Sequence, residues 1–131
     1  MDNKTYSIFL DAKRKKDINT IRNLYLKNKK DRVLAFEYAK LLSNNGQLEE
    51  AEKILISLIE KENNIYAILE LGKLEVKKRN INKARKYFKS IINTKNRYHA
   101  LFELGKLEEK EKNYNEARKY FLDIIKEYKK A

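Results

Sequence analysis

Apolar residues recur along this chain at helical spacing. Ala35, Tyr38, Ala39 and Leu42 fall at i, i+3, i+4 and i+7, and Leu101, Leu104 and Gly105 open the same series later. That spacing gathers apolar side chains on one stripe of a helix. The pattern predicts paired helices, the first of each pair near 32–45, 65–78 and 98–111. The second of each pair is predicted near 48–61, 81–93 and 114–128. The apolar sets of the second helices are Leu48, Ala51, Ile54, Leu55, Leu58, Ile59; then Ile81, Ala84, Tyr87, Phe88, Ile91, Ile92; then Tyr114, Ala117, Tyr120, Phe121, Ile124, Ile125. The same phases appear three times, so the pattern predicts a repeated helical hairpin.

The repeat is also literal. ELGKLEVKKRNINKARKYF at Glu70–Phe88 returns as ELGKLEEKEKNYNEARKYF at Glu103–Phe121, an offset of 33 residues. The offset extends backwards through Glu37, Leu41 and Ala39, which share phases with Glu70, Leu74 and Gly72. The predicted turns are Asn44-Asn45-Gly46, Arg79-Asn80 and Lys112-Asn113. Glycine and asparagine tolerate the left-handed backbone that closes a helix, so these residues are assigned that role. Gly72 and Gly105 fall inside predicted helices, where glycine costs roughly 1 kcal/mol relative to alanine. Their repetition implies close helix crossing, with Ala51, Ala84 and Ala117 as a second small column. Residues 1–31 fit less well. Lys16-Asp17-Ile18-Asn19, Ile21, Leu24 and Tyr25 echo a second helix, and Phe9 would occupy the small column. The expectation is one domain over 1–131, with a degenerate first unit at 1–31 and repeats at 32–64, 65–97 and 98–130.

Composition agrees with helix throughout: there is no proline and only three glycines. There is no cysteine, which removes disulfides and thiolate chemistry. The apolar patch near the N-terminus is too short for a signal-peptide core, and ILISLI at 54–59 is too short to span a bilayer. A soluble, cytoplasmic protein is expected. The net charge of +12 is concentrated in two segments, 1–34 and 68–100. A basic segment attracts polyanions. Lysine outnumbers arginine and accompanies much Asn, Ile and Tyr, so A/T-rich codon usage is an alternative source of the excess.

Candidate chemistry is sparse. The chain has one histidine, His99, and no glycine-rich phosphate loop. A lone histidine without suitably spaced carboxylates does not make a zinc site. Glu49-Glu50-Glu52 and Glu108-Glu109-Glu111 read as solvated faces. No catalytic residue, metal site or cofactor is assigned, and no enzymatic activity is expected.

The turns GQLEEA at 46–51, RNINKA at 79–84 and KNYNEA at 112–117, with Leu55, Phe88 and Phe121 following, resemble the tetratricopeptide repeat (TPR) family. The likeness covers about 32–130 well and 1–31 weakly, and the 33-residue period departs from the family's usual 34. The resemblance implies an all-α fold, a right-handed α-solenoid of helix-turn-helix repeats. It implies a protein-interaction adaptor or scaffold with a concave groove lined by the first helices. Val33, Tyr66 and His99 would share one level of that groove, and Phe36, Leu69 and Phe102 the next. Lys40, Lys73 and Lys106 would form a third level, with Lys77 and Lys110 a turn beyond. Aromatic and lysine rows suit an acidic peptide or partner helix with apolar anchors. Each lysine follows a glutamate by three, so surface ion pairs explain the row equally well. Two other partner classes stand beside this one. The basic residues of 77–97 (Lys77, Lys78, Arg79, Lys83, Arg85, Lys86, Lys89, Lys95 and Arg97) could contact nucleic acid. The last helix, through Tyr120, Ile124 and Tyr128, could form a weak homodimer.

Overall fold

The structure is a computed structural model that describes residues 1–130. Those residues form eight α-helices and no strand. Two compact units divide the chain, Met1–Asn63 and Asn64–Ala131. The first holds α1 (Asn3–Lys15), α2 (Ile18–Lys27), α3 (Arg32–Asn44) and α4 (Leu48–Glu62). The second holds α5 (Ile65–Lys77), α6 (Ile81–Ser90), α7 (Arg97–Lys110) and α8 (Tyr114–Lys130). Within each unit successive helices pack as neighbours.

Four helices start at a side-chain cap. Asp2, Asp17, Asp31 and Asn64 each accept the amide of the residue three further on, at 2.7, 3.2, 3.1 and 3.1 Å. A capping carboxylate or amide satisfies one of the donors that a helix start leaves open. The 1–31 segment thus forms a helix pair, with Phe9, Ala12 and Ile21 buried.

The intra-repeat turns close differently from the expectation. The left-handed residues are Gly46, Arg79 and Lys112, one per repeat at a single phase. The asparagines are not the left-handed residues. The Asn80 amide nitrogen reaches back to the Glu75 carbonyl at 2.9 Å, and the Asn113 nitrogen to the Glu108 carbonyl at 2.8 Å. The Asn80 and Asn113 side chains donate to the carboxylates of the same glutamates, at 2.8 and 3.0 Å. The turns at Arg79 and Lys112 are therefore helix-closing loops of the Schellman type with an asparagine–glutamate clasp added. Residues 91–93, expected as the end of a helix, lie in turns beyond α6. There Thr94 Oγ1 donates to the Ile91 carbonyl at 2.6 Å, and short polar side chains compete in this way with helix continuation.

The cores are built from the predicted stripes. In the first unit Leu34, Tyr38, Leu42, Ala51 and Leu55 are fully or almost fully buried. Arg22 Nε donates to the Tyr38 hydroxyl at 2.7 Å, and that hydroxyl donates to Glu50 at 3.0 Å. Burial is the main reason the Tyr38 phenol is pushed above its ordinary pKa. In the second unit Ala84, Phe88, Ile91, Ala100, Leu104 and Leu107 form one cluster. The glycine columns have a definite purpose. A Cβ at Gly72 would stand 2.4 Å from Phe88 Cε1, and one at Gly105 would stand 2.5 Å from Phe121 Cε1. The second helix of each pair lays an aromatic ring on bare backbone of the first.

Candidate functional site

In the second unit α5 and α7 lie near one another, and side chains of both line one surface hollow. Tyr66 of α5 and Phe102 of α7 are exposed aromatics, and Phe102 is 49% accessible. Lys106 Nζ sits 4.9 Å from the centre of the Phe102 ring, and Lys95 Nζ 5.2 Å from that of Tyr66. A cation over a ring face is attracted to the ring quadrupole, and the Phe121 ring of α8 lies 6.2 Å from that of Phe102. His99 and Lys110 are exposed beside them. Glu103, Lys106, Lys110, Val76 and Leu107 enclose a hollow of about 110 Å³.

The lysine row carries the glutamate partners anticipated from its spacing. Lys73 pairs with Glu70 at 3.5 Å and Lys106 with Glu103 at 3.1 Å. Lys77 is exposed. Leu69, expected as a groove residue, is 7% accessible and belongs to the core cluster with Ala84 and Ala100. On α3 of the first unit Val33 is exposed, and Lys40 Nζ stands 5.4 Å from the ring centre of half-buried Phe36. The Phe36–Lys40 and Phe102–Lys106 arrangements are thus the same motif in separate units.

Two carboxylates are buried that looked solvated or unremarkable in sequence. Glu108 was expected on a solvated face but is 5% accessible, because Arg85 of α6 grips it. Arg85 Nε and Nη2 each donate to the Glu108 carboxylate at 2.8 Å. This two-point grip, with Asn113 as a further donor, holds the Glu108 carboxyl below its ordinary pKa. Glu75, at the same phase one repeat earlier, is fully buried against Asn80, with Lys83 Nζ at 3.8 Å. The signal available in sequence was that Glu75 and Asn80 return together as Glu108 and Asn113, whereas Leu42 and Gln47 stand at those phases in the first copy.

The basic 77–97 segment does not form one free cationic surface. Arg85 is committed to Glu108, Lys83 approaches Glu75, and Arg97 lies 3.8 Å from Glu127. A different basic hollow exists in the first unit. It has a volume of about 420 Å³, with Lys29, Lys30, Arg32 and Lys61 at its rim and Tyr25 and Leu58 among its walls. Arg32 also pairs with Glu62. Lys29, Lys30 and Arg32 belong to the basic 1–34 segment, and Lys61 joins them from α4.

Of the predicted self-association residues, Tyr120 and Ile124 are half-buried, and Tyr128 is 76% accessible. No described helix is long and apolar enough to cross a membrane.

The second unit is therefore two helical hairpins that share one packing code: a bare glycine under an aromatic ring, an alanine column and an asparagine–glutamate clasp. Residues 99–131, which hold most of α7 and all of α8, match the tetratricopeptide repeat family. That last hairpin is a tetratricopeptide repeat, a class of module that serves protein–protein interaction. No curated protein matches the chain.

Proposed function

We propose that this protein is an adaptor or scaffold that holds an acidic peptide or partner helix on the face of α5 and α7. The observation that supports this most is the Phe102–Lys106 pair beside the small hollow of Val76, Glu103, Leu107 and Lys110. An exposed ring offers buried area to a ligand, and adjoining ammonium groups steer carboxylates to it. Tyr66, His99, Lys73 and Lys77 extend the surface, and Val33, Phe36 and Lys40 form a similar one on α3. Lys73 and Lys106 exchange an intrahelical glutamate for a ligand carboxylate at small cost, because such exposed pairs are worth only a few tenths of a kcal/mol. Within the same proposal the protein works in the cytoplasm, and residues 1–131 act as a single repeat domain.

The test is fluorescence anisotropy with a panel of labelled acidic peptides that carry leucine or aromatic anchors. Binding should weaken with salt and fall at least about tenfold in Lys106→Glu/Lys110→Glu. Failure of every peptide to bind, or binding indifferent to these reversals, overturns the reading. A gel-retardation assay at 150 mM salt separates the nucleic-acid alternative, whose affinity would drop steeply as salt rises.

A further inference from the structure

The internal repeat supplies a template for what α8 is built to hold. On α6, Ala84, Phe88 and Ile91 receive Ala100, Leu104 and Leu107 of α7, spaced i, i+4 and i+7. Arg85 then receives Glu108 at i+8, and Asn82 Oδ1 steadies the guanidinium by accepting from Arg85 Nη1 at 2.7 Å. The seat on α6 is thus an apolar row with an asparagine-braced arginine beside it.

Thirty-three residues later α8 carries the same seat. Asn115, Ala117, Arg118, Phe121 and Ile124 stand at the phases of Asn82, Ala84, Arg85, Phe88 and Ile91. Ala117 is buried as Ala84 is, but the rest of the seat is open where that of α6 is filled. Phe88 and Ile91 are buried, whereas Phe121 and Ile124 are half-exposed. Ile92 is half-buried, whereas Ile125 is 49% accessible. Arg118 is exposed and has no hydrogen bond or ion pair among the described residues, in contrast to Arg85. Leu122 and Tyr128 add exposed apolar surface along the same helix.

We propose that the outer face of α8 docks an amphipathic partner helix bearing apolar residues at i, i+4 and i+7 and a glutamate at i+8. Charge complementarity selects this occupant. A carboxylate at i+8 of the docked helix would meet Arg118 as Glu108 meets Arg85. A second folded copy of this chain does not offer the required pattern. Its two instances, Ala67-Leu71-Leu74-Glu75 and Ala100-Leu104-Leu107-Glu108, are already buried in the fold. This surface of α8 is distinct from the hollow between α5 and α7.

The probe is a synthetic helix with the sequence of Arg97–Glu111, RYHALFELGKLEEKE, stapled between positions 106 and 110 because so short a helix is marginal alone. Its binding to the full chain is followed by anisotropy, and its location by methyl shifts of Leu122 and Ile125. Expected is saturable binding with shifts on α8, weakened at least about tenfold in Arg118→Glu and restored when the probe carries Glu108→Arg. Arg118 is exposed, so its reversal leaves the fold intact, which circular dichroism verifies. No binding at about 1 mM probe, equal binding to Arg118→Glu, or shifts confined to other helices would overturn the proposal. So would light scattering that shows a homodimer through α8 from which the probe is excluded.

Discussion

Replacing Gly72 with alanine sets two opposed energies against one another. Alanine favours a helix over glycine by about 1 kcal/mol, so on an open surface the change stabilises. Here the new Cβ would lie 2.4 Å from Phe88 Cε1 and within 2.8 Å of two further ring carbons. Carbon atoms rest at about 3.5–4.0 Å, so the ring or the helix must retreat by roughly 1 Å or more. Phe88 is fully buried, among Ala84, Ile91 and Leu104, and has no empty space to enter. Overpacking of such a site costs about 1–3 kcal/mol. With contacts this short the cost falls in the upper half of that range, about 2–3 kcal/mol, so net of the helical gain Gly72→Ala should destabilise by about 1–2 kcal/mol and lower Tm by about 4–7 °C. Gly105→Ala is the internal control. Its Cβ meets Phe121 at 2.5 Å, but Phe121 is half-exposed on α8 and can swing outward. Its net effect should lie within about 0.5 kcal/mol of zero, the two terms nearly cancelling. Urea and thermal unfolding of both variants, with Phe88→Leu and the Gly72→Ala/Phe88→Leu double variant, close the cycle. The double variant should be more stable than additivity predicts by about 1 kcal/mol. If Gly72→Ala matches or exceeds the wild type, or costs less than Gly105→Ala, confinement of the ring by the second helix is not what the glycine serves.

The left-handed backbone of Arg79 and Lys112 costs a side-chain-bearing residue about 1 kcal/mol, so Lys112→Gly should raise stability by about 0.5–1 kcal/mol in urea melts, whereas Lys119→Gly in mid-helix should lower it. Arg85→Met strands the buried Glu108 carboxylate and should cost about 2 kcal/mol near neutral pH. The folded pKa of Glu108 is depressed, so this contribution is complete above the unfolded carboxylate value near about 4.3 and is lost as pH falls through the lower folded value. The stability gap between wild type and Arg85→Met should therefore narrow in unfolding titrations taken from about pH 5 downward, and a constant gap would contradict the assignment. Tyr38→Phe removes the hydroxyl between Arg22 and Glu50 and should cost about 1 kcal/mol, read as a urea midpoint shift at unchanged slope.

Local rules made much of this molecule legible from residue order alone. Helical periodicity placed all six helices of 32–130, because burying one stripe imposes its spacing on each helix separately. The 33-residue recurrence exposed Gly72 and Gly105 as packing positions, since mid-helix glycine is costly unless a neighbour needs the space. What the order of residues left undecided depends on which groups meet. Glu108 looked like one more surface charge, and only the approach of Arg85 from another helix makes its burial tolerable. Leu69 occupied a groove phase by analogy with Phe36 and Phe102, yet it turns into the core where α5 meets α6 and α7. The strain at Arg79 and Lys112 went unannounced, because the asparagines beside them are turn formers and were the natural choice. Those asparagines were instead recruited to the buried glutamates. Arg118 shows the same division. Its kinship with Arg85 is written in the repeat, but that one guanidinium is filled and the other open is decided by what each helix packs against.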